Sequence, residues 1–365
     1  MSNTDAEYWG SYGGLQEAKH TILRAYLNAW FPILTSWSGE VLYIDCHAGR
    51  GRHRTGHPGS PIIALQLLLG HRSLSAILAR CQVRFIFFER DEENFDCLRR
   101  EIRELGRLPD GIAVEPHCDD YEGVLVGACE EAHKRGHELA PLFAFVDPYG
   151  FRLSMATLNK ILFSHASELL INWMFRYVDM AMHTESQAGN MDSLFGTDEW
   201  RAVAARDYPE RADGAMELFS SRLKADYVTP MLMRGKNEAL KYVLFHATNH
   251  PKGREVMKEA MWKADPSGSF TAHERDHVGQ LSLFEIAPGL GALKNRLWED
   301  FGGKTVCVKD LYGWLTTTLY LRKHLHAVLK DYHRRGVVQC SGYDGQFTFS
   351  QNPRFAFPAK RPPGS

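Results

Sequence analysis

No stretch of this chain is apolar over the roughly 18–20 residues that a membrane span requires, so no membrane association is expected. No C-x-x-C pair occurs. The seven cysteines, Cys46, Cys81, Cys97, Cys118, Cys129, Cys307 and Cys340, are scattered through the sequence. That pattern argues against a structural zinc site, and no metal is expected; it reads as reduced, mostly buried thiols of a cytoplasmic protein. Charge of one sign is not in excess either. Lys and Arg number 43 against 44 Asp and Glu, a net charge of -1, which excludes a wholly basic nucleic-acid coat but not a local basic face. The opening residues, MSNTDAEYWGSYGG, lack the apolar core of a secretory signal, so none is expected. Internal repeats and low-complexity tracts are missing too.

What is present is an ordinary globular composition. Of 365 residues, 44% are apolar and 24% charged, enough to bury a full core in two or three domains. The first periodic segment, Glu17 to Trp37, places Ile22, Leu23, Tyr26, Leu27, Trp30 and Phe31 on one helical stripe, which reads as core packing. Strand and helix text then alternate. Strands are expected at Val41–Cys46, Arg84–Glu89, Ile112–His117, Leu142–Asp147, Glu168–Trp173 and Lys241–Ala247. Near-continuous apolar strands separated by helices imply a mostly parallel sheet covered on both faces, an α/β fold. Residues 176–238 break the alternation and read as a helical insertion. A turn-rich stretch follows from Asp265 to about Gly291. The last unit reads as two helices, Val308–Leu315 and Leu319–Arg335, then a hairpin over Gly336–Phe349 turning at Tyr343-Asp344-Gly345: a winged-helix-like order. The expected organisation is a helix within 1–40, a Rossmann-like domain over 41–292, and a winged-helix-like unit with a tail over 293–365.

Four marks at successive strand ends carry the chemistry. The first is Asp45-Cys46-His47-Ala48-Gly49-Arg50-Gly51, where glycines two apart let backbone pass close to a ligand. It lacks the third glycine of the dinucleotide fingerprint and the Lys-Ser/Thr of a P-loop, which argues against ATP or GTP hydrolysis. The second is Glu89, positioned to accept from ribose hydroxyls, or else a solvated strand-end charge. It lies beyond the ~20-residue offset of the dinucleotide fingerprint, so the first crossover must be long. The third is Cys118-Asp119-Asp120, where a carboxylate can accept from an adenine amino group or else serve a turn or helix N-cap, with Asp119 read as the ligand contact and Asp120 as the cap. The fourth is Asp147-Pro148-Tyr149-Gly150-Phe151, presenting an acceptor and an aromatic face. Ser60-Pro61 reads as N-cap and first residue of the helix that follows.

Together these marks resemble the class I S-adenosylmethionine methyltransferase fold. The resemblance implies S-adenosyl-L-methionine as cofactor, held by Asp45, His47, Gly49, Gly51, Glu89 and Asp119, with Asp147, Pro148 and Tyr149 as the catalytic loop. More closely, the chain resembles the three-Cys-motif partner (TcmP) family. The matching text is K-H-x-I-L-x-x-Y-L-x-x-W at Lys19–Trp30, Y-I-D-x-x-A-G-x-G-R at Tyr43–Arg52 and G-S-P-I-I-A-L at Gly59–Leu65. It continues as V-D-P-Y-G-F at Val146–Phe151, I-N-W-M at Ile171–Met174, F-G-T-x-x-W at Phe195–Trp200 and A-T-x-H-x-x-G-x-x-x-M-x-x-A-M-W at Ala247–Trp262. Cys46-His47 departs from the family's usual apolar-Phe pair, which changes ring stacking near the cofactor. The family takes its name from a genomic neighbour, so a three-Cys-motif protein is the implied partner. Asp-Pro-Tyr-Gly is also similar to the Asp-Pro-Phe-Gly of tRNA guanine-N2 dimethyltransferases and, shortened, to the Asp-Pro-Pro-Tyr of amino-methylating DNA enzymes. That likeness implies an exocyclic base nitrogen as methyl acceptor, on DNA or RNA.

Basic residues offer a grip on nucleic acid. Arg50, Arg52, His53 and Arg54 form a loop beside the glycines, able to meet phosphates or simply solvated. Arg322, Lys323, Lys330, Arg334 and Arg335 crowd the last helix, as polymer readers or as a solvated face. His246 and His250 read as loop histidines. The expected function is methyl transfer to a nucleic-acid base. Two alternatives stay open: a non-catalytic nucleic-acid- or partner-binding protein on a methyltransferase fold, and a methyltransferase acting on protein or small molecule.

Overall fold

The structure is a computed structural model and describes residues 13–135, 139–235, 238–273 and 289–360. The first twelve residues, most of the stretch read as turn-rich (274–288) and the tail beyond residue 360 lie outside the described residues. Two compact units emerge. One takes in residues 13–264 and 271–273, the other 265–270 and 289–360.

The first unit opens with α1 (Gly14–Leu34), whose stripe of Ile22, Leu23, Tyr26, Leu27, Trp30 and Phe31 is buried as its periodicity requires. Then come β1 (Glu40–Asp45), α2 (Ser60–Leu69), α3 (Leu74–Leu78), β2 (Gln82–Phe88), α4 (Glu92–Glu104), β3 (Ile112–His117), α5 (Tyr121–Lys134), β4 (Leu142–Val146), α6 (Met155–Ile161) and β5 (Ser167–Trp173). Helices α7 (Phe175–Met182), α8 (Ala188–Phe195), α9 (Trp200–Ala204) and α10 (Glu210–Arg222) precede β6 (Tyr227–Arg234), β7 (Leu240–Thr248), α11 (Pro251–Ala264) and β8 (Thr271–His273). The sheet order is β3-β2-β1-β4-β5-β7-β6-β8. β7 runs antiparallel to β5 and β6, and every other pairing is parallel. The result is a large, mostly parallel, doubly wound sheet of Rossmann-like form. Every residue of β4 and β5 is buried, as expected of strands covered on both faces.

Strand β6 is a departure from the sequence reading, which had taken 176–238 as helical throughout. Pro230 disguised it, because proline cannot donate to an interior ladder. β8 pairs only with Leu232, Met233 and Arg234. Pro230 therefore sits on a stretch of β6 that β8 does not reach, an edge position of the kind where a proline is tolerated. A second departure is at α2. Gly59, not Ser60, is the N-cap, and Pro61 falls in the first turn. Only Cys46, Cys81 and Cys97 of the seven free cysteines are buried; Cys118 is exposed. No described helix is long and apolar enough to cross a membrane.

The second unit contains α12 (Gly291–Phe301), β9 (Thr305–Cys307), α13 (Val308–Leu315), α14 (Arg322–Arg334), β10 (Gln339–Ser341) and β11 (Arg354–Ala356). β11 lies between β10 and β9, antiparallel to both. The expected hairpin over Gly336–Phe349 is thus replaced by a wider one. Its loop folds back because Phe347 and Phe349 pack against the unit's core, with Phe349 stacked on His326 at 3.7 Å.

Candidate functional site

The sheet's chain order reverses at β1, which is flanked by β2 and β4. In doubly wound sheets the crevice at the carboxyl ends of such strands is the binding position. A cleft of about 530 Å³ opens there, a size suited to a nucleoside-scale ligand. Behind β1, His47 and Gly49 line it; Glu89 follows β2, Asp120 follows β3, and Asp147, Pro148 and Tyr149 follow β4.

Each strand end has its own electrostatics. Asp45, the last residue of β1, is fully buried, and its Oδ1 accepts the His47 amide at 3.2 Å. Burial pushes its carboxyl up to about 7, against the pull of the Ser60 hydroxyl and the His47 amide. Burial lowers the His47 imidazole to about 4, and its ring meets Tyr121 edge-on at 5.2 Å. Glu89 Oε1 accepts from the Asp91 amide at 2.8 Å. Burial raises the Glu89 carboxyl, and main-chain amides, that of Asp91 foremost, oppose the rise.

Asp147 is held from two sides. Its Oδ2 pairs with the Lys19 ammonium, from α1, and its Oδ1 accepts from Asn172 Nδ2, on β5. The Lys19 side chain is 1% exposed and that of Asp147 10%. Burial alone would pull the Lys19 ammonium down, but the Asp147 carboxylate beside it leaves it above its ordinary value. Tyr149 is half exposed, and its ring lies 6.2 Å from that of Tyr177 on α7.

Six of the residues singled out from sequence share the cleft: His47, Gly49, Glu89, Asp147, Pro148 and Tyr149. Gly51 does not. At φ +78°, a Cβ there would lie 3.2 Å from Leu98 and Glu101 of α4, so its glycine serves helix packing. Asp119 is exposed and off the cleft wall, which carries Asp120 instead; Asp119 Oδ1 accepts the Asp120 amide at 2.7 Å. Arg50 and Arg52 also leave the cleft and reach α4. Arg50 contacts Cys97 and Glu93, and Arg52 pairs with Glu101 at 2.8 Å. Arg322 and Lys323 belong to the second unit, exposed on α14. His246 is not a loop residue: it lies within β7, fully buried, 3.1 Å from the Glu168 carboxylate.

Sequence reasoning missed Lys19, Asn172 and Asp120 as site residues. Lys19 did carry a signal: it falls on the same helical stripe as Ile22, Leu23 and Tyr26, where a lysine has no business unless paired.

A class I cofactor has a test of fit here. Among the described residues, His47 Nδ1 and Asn94 Oδ1 are buried on the cleft wall without a hydrogen-bond partner. Buried polar atoms left unmatched are costly, and a polar nucleoside-bearing ligand would satisfy them.

No protein-family profile matches the sequence, and no curated protein matches it. Solved structures do show likenesses. Trm1 from Pyrococcus horikoshii, in complex with S-adenosyl-L-methionine, is 14% identical with TM-score 0.38, covering 69% of this chain and 59% of that one. This chain therefore spans under two thirds of Trm1. A SAM-dependent methyltransferase from Agrobacterium tumefaciens is 9% identical with TM-score 0.31, covering 61% of each chain. The human methyltransferase 10 domain containing protein is 12% identical with TM-score 0.29, covering 62% of this chain and 82% of that one.

Proposed function

We propose that the chain is an S-adenosylmethionine-dependent methyltransferase acting on an exocyclic amino group of a nucleic-acid base. The observation that carries the reading is the convergence of Gly49, Glu89 and Asp147-Pro148-Tyr149 on one cleft at the switch point of the sheet. The reversed β7 fits too, because a doubly wound sheet with a reversed strand between the fifth and sixth matches a Rossmann-like methyltransferase fold.

S-adenosylmethionine supplies an electrophilic methyl group. Glu89 would hold the ribose hydroxyls, with Asp120 beyond it toward the base. His47 and Asn94 would satisfy remaining polar atoms of the cofactor, and Gly49 keeps side-chain bulk out of the way. Asp147 would accept a hydrogen bond from the acceptor amine and so aim its lone pair. Tyr149, half exposed at the cleft, offers a ring on which an unpaired base can stack.

The second unit supports the polymer part of the reading. Its order of helix, strand, two helices and two strands is compatible with the winged-helix-like unit expected from sequence, and α14 exposes Arg322, Lys323 and Lys330. Their charge suits phosphates. A three-Cys-motif partner and a cytoplasmic location belong to the same reading and rest on the sequence motifs.

Calorimetric titration with S-adenosylmethionine and S-adenosylhomocysteine tests the cofactor. The parent protein should bind both, and Glu89→Ala should weaken binding about 10- to 100-fold, the worth of a hydrogen bond to a charged acceptor. Tritiated methyl transfer to single-stranded DNA and RNA then tests the acceptor, with Asp147→Asn as the inactive control. Binding of nucleic acid with no affinity for the cofactor would replace this reading with the non-catalytic one.

A further inference from the structure

Helix α1 reads as a packing element, yet its buried face carries, besides His20, three polar groups each aimed at a carboxylate in the sheet or just beyond a strand end. Tyr26 OH donates to Glu168, as does Trp30 Nε1 at 3.2 Å. Lys19, seven residues before Tyr26 and thus two helical turns away on the same stripe, pairs with Asp147. The Glu168 contacts lie on the β5 strand itself. The Asp147 contact lies at the cleft.

A buried ion pair is a poor device for stability alone. Taking both charges out of water costs about as much as their attraction returns, and a well-packed apolar pair does as well or better. The placement of this one is specific. Lys19 takes Oδ2 and Asn172 takes Oδ1, so both carboxylate oxygens are pinned while each keeps a lone pair. The pair is neutral overall.

We propose that Lys19 is a positioning residue of the cleft: its ammonium fixes the Asp147 carboxylate in orientation, making the N-terminal helix part of the working site. The groups facing Lys19 besides Asp147 are His20 on α1, Asp45 at the end of β1, His53 in the following loop and Tyr242 on β7. Without the ammonium, Asp147 Oδ2 would lose its partner and Asn172 alone would hold the carboxylate.

The activity consequence rests on the methyltransferase reading; the orientation consequence does not. Asp147 is followed by carbon-13 carboxyl NMR at one fixed pH, its signal assigned by loss in Asp147→Asn. In Lys19→Gln the Asp147 signal should move and broaden as the carboxylate loses its charged partner, and Lys19→Arg should hold it near the parent position. In the same Lys19→Gln protein, kcat for tritiated methyl transfer to oligonucleotide should fall about 100-fold. Affinity for S-adenosylhomocysteine, which does not touch Asp147 in this reading, should stay within about threefold. An unmoved signal in folded Lys19→Gln overturns the proposal. Lys19→Ser, which leaves room for water, repeats the measurement if Lys19→Gln does not fold. If both neutral variants unfold while Lys19→Arg stands, the role is structural and the proposal is likewise overturned. A parent protein that transfers no methyl group, with the signal still moved in Lys19→Gln, removes the methyltransferase reading and leaves the Lys19–Asp147 link intact.

Discussion

The Gly59 amide donates to the Gly51 carbonyl at 2.8 Å, closing the loop between β1 and α2. The two backbones are so close that a Cβ on Gly59 would lie 3.2 Å from the Gly51 oxygen. The second glycine of the G-x-G pair therefore shapes the loop from the outside, while Gly49 faces the cleft.

Gly51→Ala should be destabilising. Its φ of +78° disfavours a side chain, and the added Cβ meets Leu98 and Glu101 at 3.2 Å. A loss of about 1–3 kcal/mol is expected from strain of this kind. Urea unfolding monitored by tryptophan fluorescence reads it. A Gly51→Ala protein as stable as the parent would mean that α4 can move aside.

Gly253→Ala should cost at least as much, at a site remote from the cleft. A Cβ there would lie 2.5 Å from Glu168 Oε2 and 2.8 Å from Thr248 Oγ1. The carboxylate cannot step away cheaply, because Tyr26, Trp30 and His246 all hold it. Burial raises the Glu168 carboxyl, yet His246, Tyr26 and Thr248 keep it below its ordinary value. Overpacking against a fixed neighbour costs about 1–3 kcal/mol, read as a drop in Tm with little change in cofactor affinity.

Stability should depend on pH through groups of opposed sign, His53 and Asp45 among them, with His47 acting in the same sense as His53. Burial lowers His53 from its ordinary 6.5 to about 4. Between those values the unfolded chain takes a proton that the folded chain refuses, so stability present above pH 6.5 drains away on acidification. The full shift is worth roughly 3 kcal/mol at about 1.4 kcal/mol per pH unit. Asp45 has the other sign. Raised from 3.8 to about 7, it keeps its proton in the folded state across that window, so its contribution falls as pH rises. His53→Gln should flatten the fall of Tm between pH 6.5 and 4. Asp45→Asn should steepen it, and should gain on the parent as pH rises from 4 to 7. Parallel Tm curves for the three proteins would contradict both assignments.

Nucleic-acid binding, if α14 grips phosphates, should be strongly salt-dependent. Lys323 is exposed, and Arg322 stacks over Tyr312 at 4.5 Å. Lys323→Ala should lower the slope of log affinity against log salt by nearly one and weaken binding about evenly across sequences. Fluorescence anisotropy from 50 to 200 mM salt measures it. An unchanged slope would assign α14 to another task.

The alternation of apolar strands and amphipathic helices fixed the parallel sheet in advance, because strands buried on both faces must be apolar throughout. Strand-end acids and glycines were legible for the same reason. Polar residues closing an apolar run, such as Glu89 and Asp147, have to emerge where the sheet stops. The β6 strand was not legible, since Pro230 is forbidden or allowed according to whether a neighbouring strand reaches it. That depends on where β8 ends.

What the sequence determined alone was local: which segments are strands and helices, and which chemistry stands at each strand end. What tertiary structure decided was direction. Gly49 and Gly51 are two residues apart, yet one faces the cleft and the other faces α4. Asp119 and Asp120 are adjacent, yet only the second is on the cleft wall. Arg50 and Arg52 turn to α4, where Glu93 and Glu101 supply their counter-charges. Lys19, which opens a sequence motif but has no assigned role there, meets an aspartate 128 residues away. Such contacts arise only when the chain closes on itself. A lone residue type records its chemistry but not the neighbour that the fold will bring to it.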